Sequence, residues 1–169
     1  FMVPLGISRA TAVLVGRGVG REDPPGARRA AGAGLLLGMG FMTLAALLFL
    51  VFPETLARIY SDEAEVVAVA ALLIPLAGVF QVFDGIQVVS TGVLRGVGET
   101  RWPMAVSLLG FWLLGMPVSA WLGFRTPAGP VGLWWGLVLG LAAVGMILLA
   151  LVRKRLGAEL RRIVLDDEE

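Results

Sequence analysis

One acidic side chain of this sequence stands apart from the others by its surroundings. Of thirteen acidic residues, only Asp84 lies within a long hydrophobic stretch, and Arg95 follows it eleven positions later. At about 1.5 Å per helical residue the two are about 16 Å apart, which places Asp84 near the middle of a bilayer whose boundary is at Arg95. A carboxyl at this depth costs at least about 2.5 kcal/mol, so we expect Asp84 to face a cavity or a partner and not lipid.

Polar residues continue along the helix face that carries Asp84. At 100° per residue, five side chains fall within about 120° of one face: Gln81, Asp84, Gln87, Thr91 and Arg95. The opposite face consists of small and apolar residues: Val82, Gly85, Ile86, Val89 and Val93. Both glutamines of the chain therefore lie within one turn of its intramembrane carboxyl. Because intramembrane ionisable groups usually mark ion or substrate pathways, this face is the candidate functional site.

A carboxyl in a membrane cavity can bind a proton, a Na⁺ ion or an organic cation, but only one of them at a time. Loading the ion then displaces the substrate, and loading the substrate displaces the ion, which is the minimum that coupling requires. The hypothesis is that Asp84 performs this exchange. The alternative is that Asp84 is only buried and hydrogen-bonded to Gln81 or to another span.

The residue types that are missing exclude most other chemistry. The chain contains no Cys, His or Asn, which rules out thiol nucleophiles, disulfides, zinc and haem sites and imidazole bases. No nucleophile and base pair is visible in the hydrophobic stretches, so we predict neither an enzyme nor a cofactor. The net charge of +1 argues against a nucleic-acid partner, which would require a basic stripe.

The composition predicts an all-α, multi-pass membrane protein. Hydrophobic residues make up 57% of the chain and charged residues 16%, with a mean hydropathy of +0.86, against about 45 to 50% and about 25% in soluble domains. Since only helices or closed barrels satisfy backbone groups in lipid, and the apolar runs are too long for barrel strands, we predict a bundle of five transmembrane helices. Their predicted bounds are 1–16, 30–52, 66–95, 102–123 and 128–152, followed by a polar cytoplasmic tail over 156–169.

Small residues and basic residues add packing and orientation to this prediction. Glycines repeat at four-residue spacing in the last span and in the second, which favours close packing against other helices: Gly132, Gly136, Gly140, Gly34 and Gly38.

Alternate connections and the tail carry eleven basic residues, whereas the other connections carry only Arg58 and Arg125. The positive-inside rule then places the N-terminal end outside and the tail inside. We expect the membrane to be the cell (inner) membrane. The first segment is short for a span, so we expect its helix to begin upstream, in a longer protein.

Several motifs are similar to those of a known transporter family. They are PLGI at 4–7, VG at 15–16, ARRA at 27–30, FQVFDGIQVV at 80–89, GVLRG at 92–96 and GPVGLWWGL at 129–137. Through them the chain resembles the C-terminal lobe of the MATE (multidrug and toxic compound extrusion) transporters, without that lobe's first span. The block at 80–89 is the most specific.

The resemblance implies a fold, an activity and a site. It implies five of the six helices of one lobe in a twelve-helix antiporter that exports drugs or other organic cations in exchange for Na⁺ or protons, by alternating access. The missing N-terminal lobe, the missing first span of this lobe and the lipid bilayer would be its partners. Asp84 stands where the family has a cation-coupling aspartate, which makes it a candidate Na⁺ ligand, with Gln81 and Gln87 beside it. Phe80 occupies a position where some members have Tyr, and Thr91 completes the candidate site.

Two other functions stay open on the sequence. A related flippase for lipid-linked precursors, or a polysaccharide exporter, should line its cavity with Arg or Lys, and here the only deep basic residue is Arg9. A transport-inactive membrane subunit would not need Asp84. For Arg9 itself we favour snorkelling towards the inner surface over an ion pair with Asp84.

Overall fold

The computed structural model describes residues 2–127 and 129–157, and this part of the chain is helical with no strand. Its elements are α1 (Met2–Gly20), α2 (Pro24–Val51), α3 (Pro53–Arg58), α4 (Ala64–Gly96), α5 (Arg101–Leu109), a π-helical segment (Gly110–Gly115), α6 (Met116–Arg125) and α7 (Gly129–Gly157). The predicted polar tail lies outside the described residues from position 158 onwards. The all-α prediction is confirmed.

Four helical stretches are long and apolar enough to cross a membrane: α2, α4, the continuous stretch Arg101–Arg125, and α7. They correspond to the predicted spans 30–52, 66–95, 102–123 and 128–152, with most ends shifted by one to six residues and with residue 128 outside the described residues. Residues 2–16 of the predicted segment 1–16 form the first part of α1, a helix of 19 residues that is not among these four membrane-crossing stretches. It packs along both α2 and α4, so it belongs to the same bundle.

The core sits near the helix ends that the basic connections join. Its buried side chains come from four helices: Val15 of α1, Ala27 and Ala31 of α2, Val93 and Leu94 of α4, and Val144, Leu148 and Val152 of α7. Polar contacts tie the same ends together, because Arg28 Nε donates to the Leu156 carbonyl at 2.7 Å and Arg155 pairs with Glu99 at 2.6 Å. The orientation of α4 is therefore fixed from several sides.

The stretch Arg101–Arg125 changes its helical register at its centre. Residues Gly110–Gly115 form π-helical turns, and α6 begins directly after them. Pro117 consequently falls in the first turn of α6, where its missing N–H group costs little. The π-helical segment packs against α7 at Val144 and Gly140.

The glycine spacing corresponds to close contacts between helices, as the sequence predicts. A Cβ atom on Gly136 would overlap the backbone of Ser119, and one on Gly34 would overlap the side chain of Thr11. These glycines let α7 approach α6 and let α2 approach α1.

Gly136→Val is expected to lower the stability of the protein by about 1 to 3 kcal/mol, the usual cost of overpacking. The measurement is thermal unfolding of the purified full-length protein. Gly32→Val is the matched control, because nothing lies within 4 Å of the Cβ position at Gly32. Equal unfolding temperatures for the two variants would contradict the close approach of α6 and α7.

Candidate functional site

One face of α4 packs against the neighbouring helices α1 and α2. Gly85 lies against Met42 of α2, and Gly92 lies against the backbone of Ser8. The Ser8 hydroxyl also donates to the Val88 carbonyl at 2.7 Å, which joins α1 to α4. One side of α4 is therefore buried against α1 and α2.

The polar residues occupy the side of α4 that stays accessible. Gln81, Asp84, Gln87 and Thr91 are half-buried, and Arg95 is exposed. On the opposite face, the four residues Gly85, Ile86, Val89 and Val93 are buried, and Val82 is half-buried. The helical periodicity of the sequence therefore correctly predicts which face of α4 stays accessible.

Asp84 is neither sealed in the core nor engaged by another side chain. Its carboxylate forms no hydrogen bond or salt bridge with any residue in 2–127 or 129–157. The arrangement in which Gln81 or another described span holds it by a hydrogen bond is thus not the one observed. A carboxylate that is half-accessible and without such a partner can accept a cation.

Two hydrogen bonds organise the residues after Asp84 on this face. Gln87 Nε2 donates to the hydroxyl of Ser107 on α5 at 3.3 Å, and the Thr91 hydroxyl donates to the Gln87 carbonyl at 2.8 Å. Ser107 was not predicted as part of the site. Its polar type within a predicted span was the signal in the sequence, but the sequence alone does not pair it with Gln87.

An aromatic contact lies one turn before Asp84. The rings of Phe80 and Trp134 meet edge to face, with centroids 6.3 Å apart and planes at 83°. Trp134 comes from α7 and was not predicted as a site residue, although it lies in the GPVGLWWGL motif. Phe80 and Trp134 therefore form an aromatic pair one turn before Asp84.

Asp84 has neither Arg9 nor a cluster of acidic side chains as a neighbour among the described residues. Arg9 is exposed on α1, and within the described residues it forms no ion pair with Asp84. A group of three or more acidic side chains that could hold a metal ion does not occur in the described part of the chain. A Na⁺ ion at Asp84 would therefore depend on neutral oxygen atoms for its other ligands.

Comparison with known proteins identifies the family of this helical arrangement. The family model described as MatE matches residues 1–121, which is more than half of the chain. The chain belongs to the MATE family. Its sequence is 44% identical over 148 residues to the probable multidrug resistance protein NorM of Xanthomonas campestris pv. campestris, covering 88% of this chain and 32% of that protein. It is 42% identical over 153 residues to the multidrug resistance protein NorM of Burkholderia vietnamiensis, covering 88% and 33%.

Solved structures of MATE transporters have the same fold. The crystal structure of the eukaryotic MATE transporter AtDTX14 superposes with a TM-score of 0.82 at 24% identity, over 89% of this chain and 34% of that one. An inward-facing MATE family multidrug resistance transporter superposes with a TM-score of 0.83 at 17% identity, over 92% and 36%. The chain thus spans about one third of the length of these relatives.

Membership of the MATE family confirms three expectations from the sequence. The resemblance to MATE transporters is confirmed over most of the chain. MATE proteins are multi-pass membrane transporters and not enzymes, so the prediction of a membrane protein without enzymatic activity is confirmed as well.

Proposed function

We propose that this chain is part of a MATE multidrug efflux antiporter, in which Asp84 exchanges a coupling cation, Na⁺ or a proton, for an organic cation. The observation that supports this most is the position of Asp84. It lies in the interior of α4, within the predicted span 66–95, on the polar face, half-accessible and without a hydrogen-bonding partner among the described residues. A charge at this depth without such a partner requires a mobile counter-ion.

The neighbours of Asp84 suit both kinds of cation. The amide oxygens of Gln81 and Gln87, each three residues from Asp84, are neutral oxygen ligands that could complete a Na⁺ site, whereas Thr91 lies about two turns from Asp84, too far to share that ion. If the coupling ion is a proton, it neutralises the carboxylate directly. For an organic cation the ring of Phe80 adds a π face one turn away, where a cation is attracted by the ring quadrupole.

The coupling follows from the single carboxylate. Because the coupling cation and the organic cation compete for one charge, the apparent Kd of each rises with the concentration of the other. Alternating access then requires that the lobe containing Asp84 moves relative to the rest of the transporter. The partners in this proposal are the N-terminal lobe, the remaining span of this lobe, the lipid bilayer and a small organic cation.

The same proposal includes an orientation in the inner membrane. Basic residues at the helix ends where α1 meets α2 and where α4 meets α5, and from Arg153 onwards, favour the cytoplasmic side, with the N-terminal end of α1 outside. A substrate would then load from the side of Arg95 and leave at the opposite side.

Gradient-driven efflux tests this function. Proteoliposomes that hold the full-length protein are expected to export ethidium when an inward gradient of Na⁺ or of protons is imposed, and each gradient is tested separately. Protein-free liposomes are the control for leakage. Ethidium movement that responds to neither gradient would contradict the antiport proposal.

A further inference from the structure

A cavity opens between α4 and α5, about two turns beyond Asp84. Its volume is about 320 Å³, and seven residues line it: Thr91, Arg95, Glu99, Thr100, Pro103, Met104 and Ser107. It includes Thr91 and Arg95 from the polar face of α4, but not Gln81, Asp84 or Gln87. The cavity therefore lies towards the ends of the helices, beyond the level of Asp84.

The charge of this cavity is positive. Arg95 is exposed, and its guanidinium forms no salt bridge or hydrogen bond with a described residue. Glu99 is the one acid in the wall, and its carboxylate is bound by Arg155 of α7 at 2.6 Å, with only 16% of its side chain exposed. The Glu99 charge is thus neutralised from behind, which leaves the Arg95 charge to the cavity.

Hydroxyl groups beside Arg95 can donate hydrogen bonds into the cavity. The Ser107 oxygen accepts from Gln87, so the Ser107 hydroxyl proton stays available. The Thr100 side chain forms no hydrogen bond within the described part of the chain. A guanidinium with adjacent hydroxyl donors matches the oxygen atoms of a phosphate group, which guanidinium groups bind through charge-assisted hydrogen bonds.

The depth and the flanks of the cavity indicate where such a phosphate comes from. Arg95 is about 16 Å along the helix from Asp84, close to half of a hydrocarbon core of about 30 Å. Next to the cavity, α5 exposes three large apolar side chains: Trp102 at 58%, Met104 at 70% and Leu108 at 57%. A lipid with its phosphate at Arg95 could lay an acyl chain along this apolar surface.

We propose that the cavity between α4 and α5 binds a phosphate group, with Arg95 as its counter-charge and Ser107 and Thr100 as hydrogen-bond donors. Basic pockets between transmembrane helices are known to bind anionic headgroups. The phosphodiester of an anionic phospholipid and free inorganic phosphate share this chemistry. The flanking apolar surface favours the phospholipid.

Lipid retention measured by native mass spectrometry tests the proposal. Purified full-length protein is mixed with dioleoylphosphatidylglycerol or, for comparison, dioleoylphosphatidylcholine in detergent. The wild type is expected to retain phosphatidylglycerol preferentially. Arg95→Gln is expected to reduce this retention about tenfold, the effect of losing one charge-assisted contact. Arg29→Gln is the charge-matched control, because Arg29 is exposed on α2 and does not line the cavity.

A second variant separates the cavity from general surface charge. Ser107→Phe keeps every charge and fills the space, so it is expected to reduce retention as much as Arg95→Gln does. In a parallel arm, inorganic phosphate replaces the lipid and the shift in unfolding temperature is recorded. A shift that requires Arg95, without selective lipid retention, would assign the site to free phosphate. Equal behaviour of Arg95→Gln and Arg29→Gln in both arms would overturn the proposal.

Discussion

Asp84→Asn is expected to reduce gradient-driven efflux by the full-length protein to the level of protein-free liposomes. The substitution keeps the size of the side chain and its place on the accessible face of α4, but it removes the charge that both cations need. Because Asp84 forms no hydrogen bond with a described residue, the replacement of one carboxylate oxygen by an NH2 group should not disturb folding. Membrane insertion and unfolding temperature are therefore expected to match the wild type.

Glu65→Gln is the matched control for this experiment. Glu65 lies on the same helix, in the first turn of α4, and is exposed far from the polar face around Asp84. Neutralising this carboxyl should leave efflux unchanged. Efflux by Asp84→Asn at the wild-type rate would contradict the exchange role of Asp84, and it would favour a transporter whose coupling depends on another group.

Residues 1–169 reconstituted alone are expected to show no gradient-driven efflux of ethidium. The chain spans about one third of the length of its NorM relatives. On its own it leaves the polar side of α4 open, with Gln81, Asp84 and Gln87 half-accessible. A cavity with one wall cannot close on either side, and alternating access needs both closures.

The comparison for this second experiment is the full-length protein in liposomes of the same composition. Western detection of equal amounts of protein in both preparations excludes poor insertion as the reason for a difference. Efflux by residues 1–169 at the rate of the full-length protein would show that the described helices suffice, and it would contradict the proposed need for a second lobe.

The sequence determines much of this fold because hydrophobic length and helical periodicity act locally. The stretches without charge predict α2, α4, the stretch Arg101–Arg125 and α7 to within a few residues of most ends. The start of α2 is also determined by neighbouring residues. The Asp23 side chain caps the helix by accepting from the Gly26 amide at 2.9 Å, and Pro24 follows in the first turn. The polar face of α4 is readable for the same reason.

What the sequence does not give is the pairing of side chains across helices. Ser107 reaches Gln87, and Trp134 meets Phe80, only after α5 and α7 have packed against α4. The packing of the π-helical segment Gly110–Gly115 against Val144 and Gly140 of α7 is another example. The ion pair that neutralises Glu99 in the wall of the cavity at Arg95 likewise needs Arg155 from α7.

Competition between the two cations at Asp84 is the most direct measurement of the central claim. Binding of ethidium to the full-length protein is titrated by fluorescence anisotropy at increasing Na⁺ concentration and, separately, at decreasing pH. We predict that the apparent Kd rises with one of the two ions in the wild type and in Glu65→Gln, and that Asp84→Asn removes this dependence. Two results would contradict the exchange of cations at a single carboxylate: an apparent Kd that changes with neither ion in the wild type, or one that still changes with the ion in Asp84→Asn.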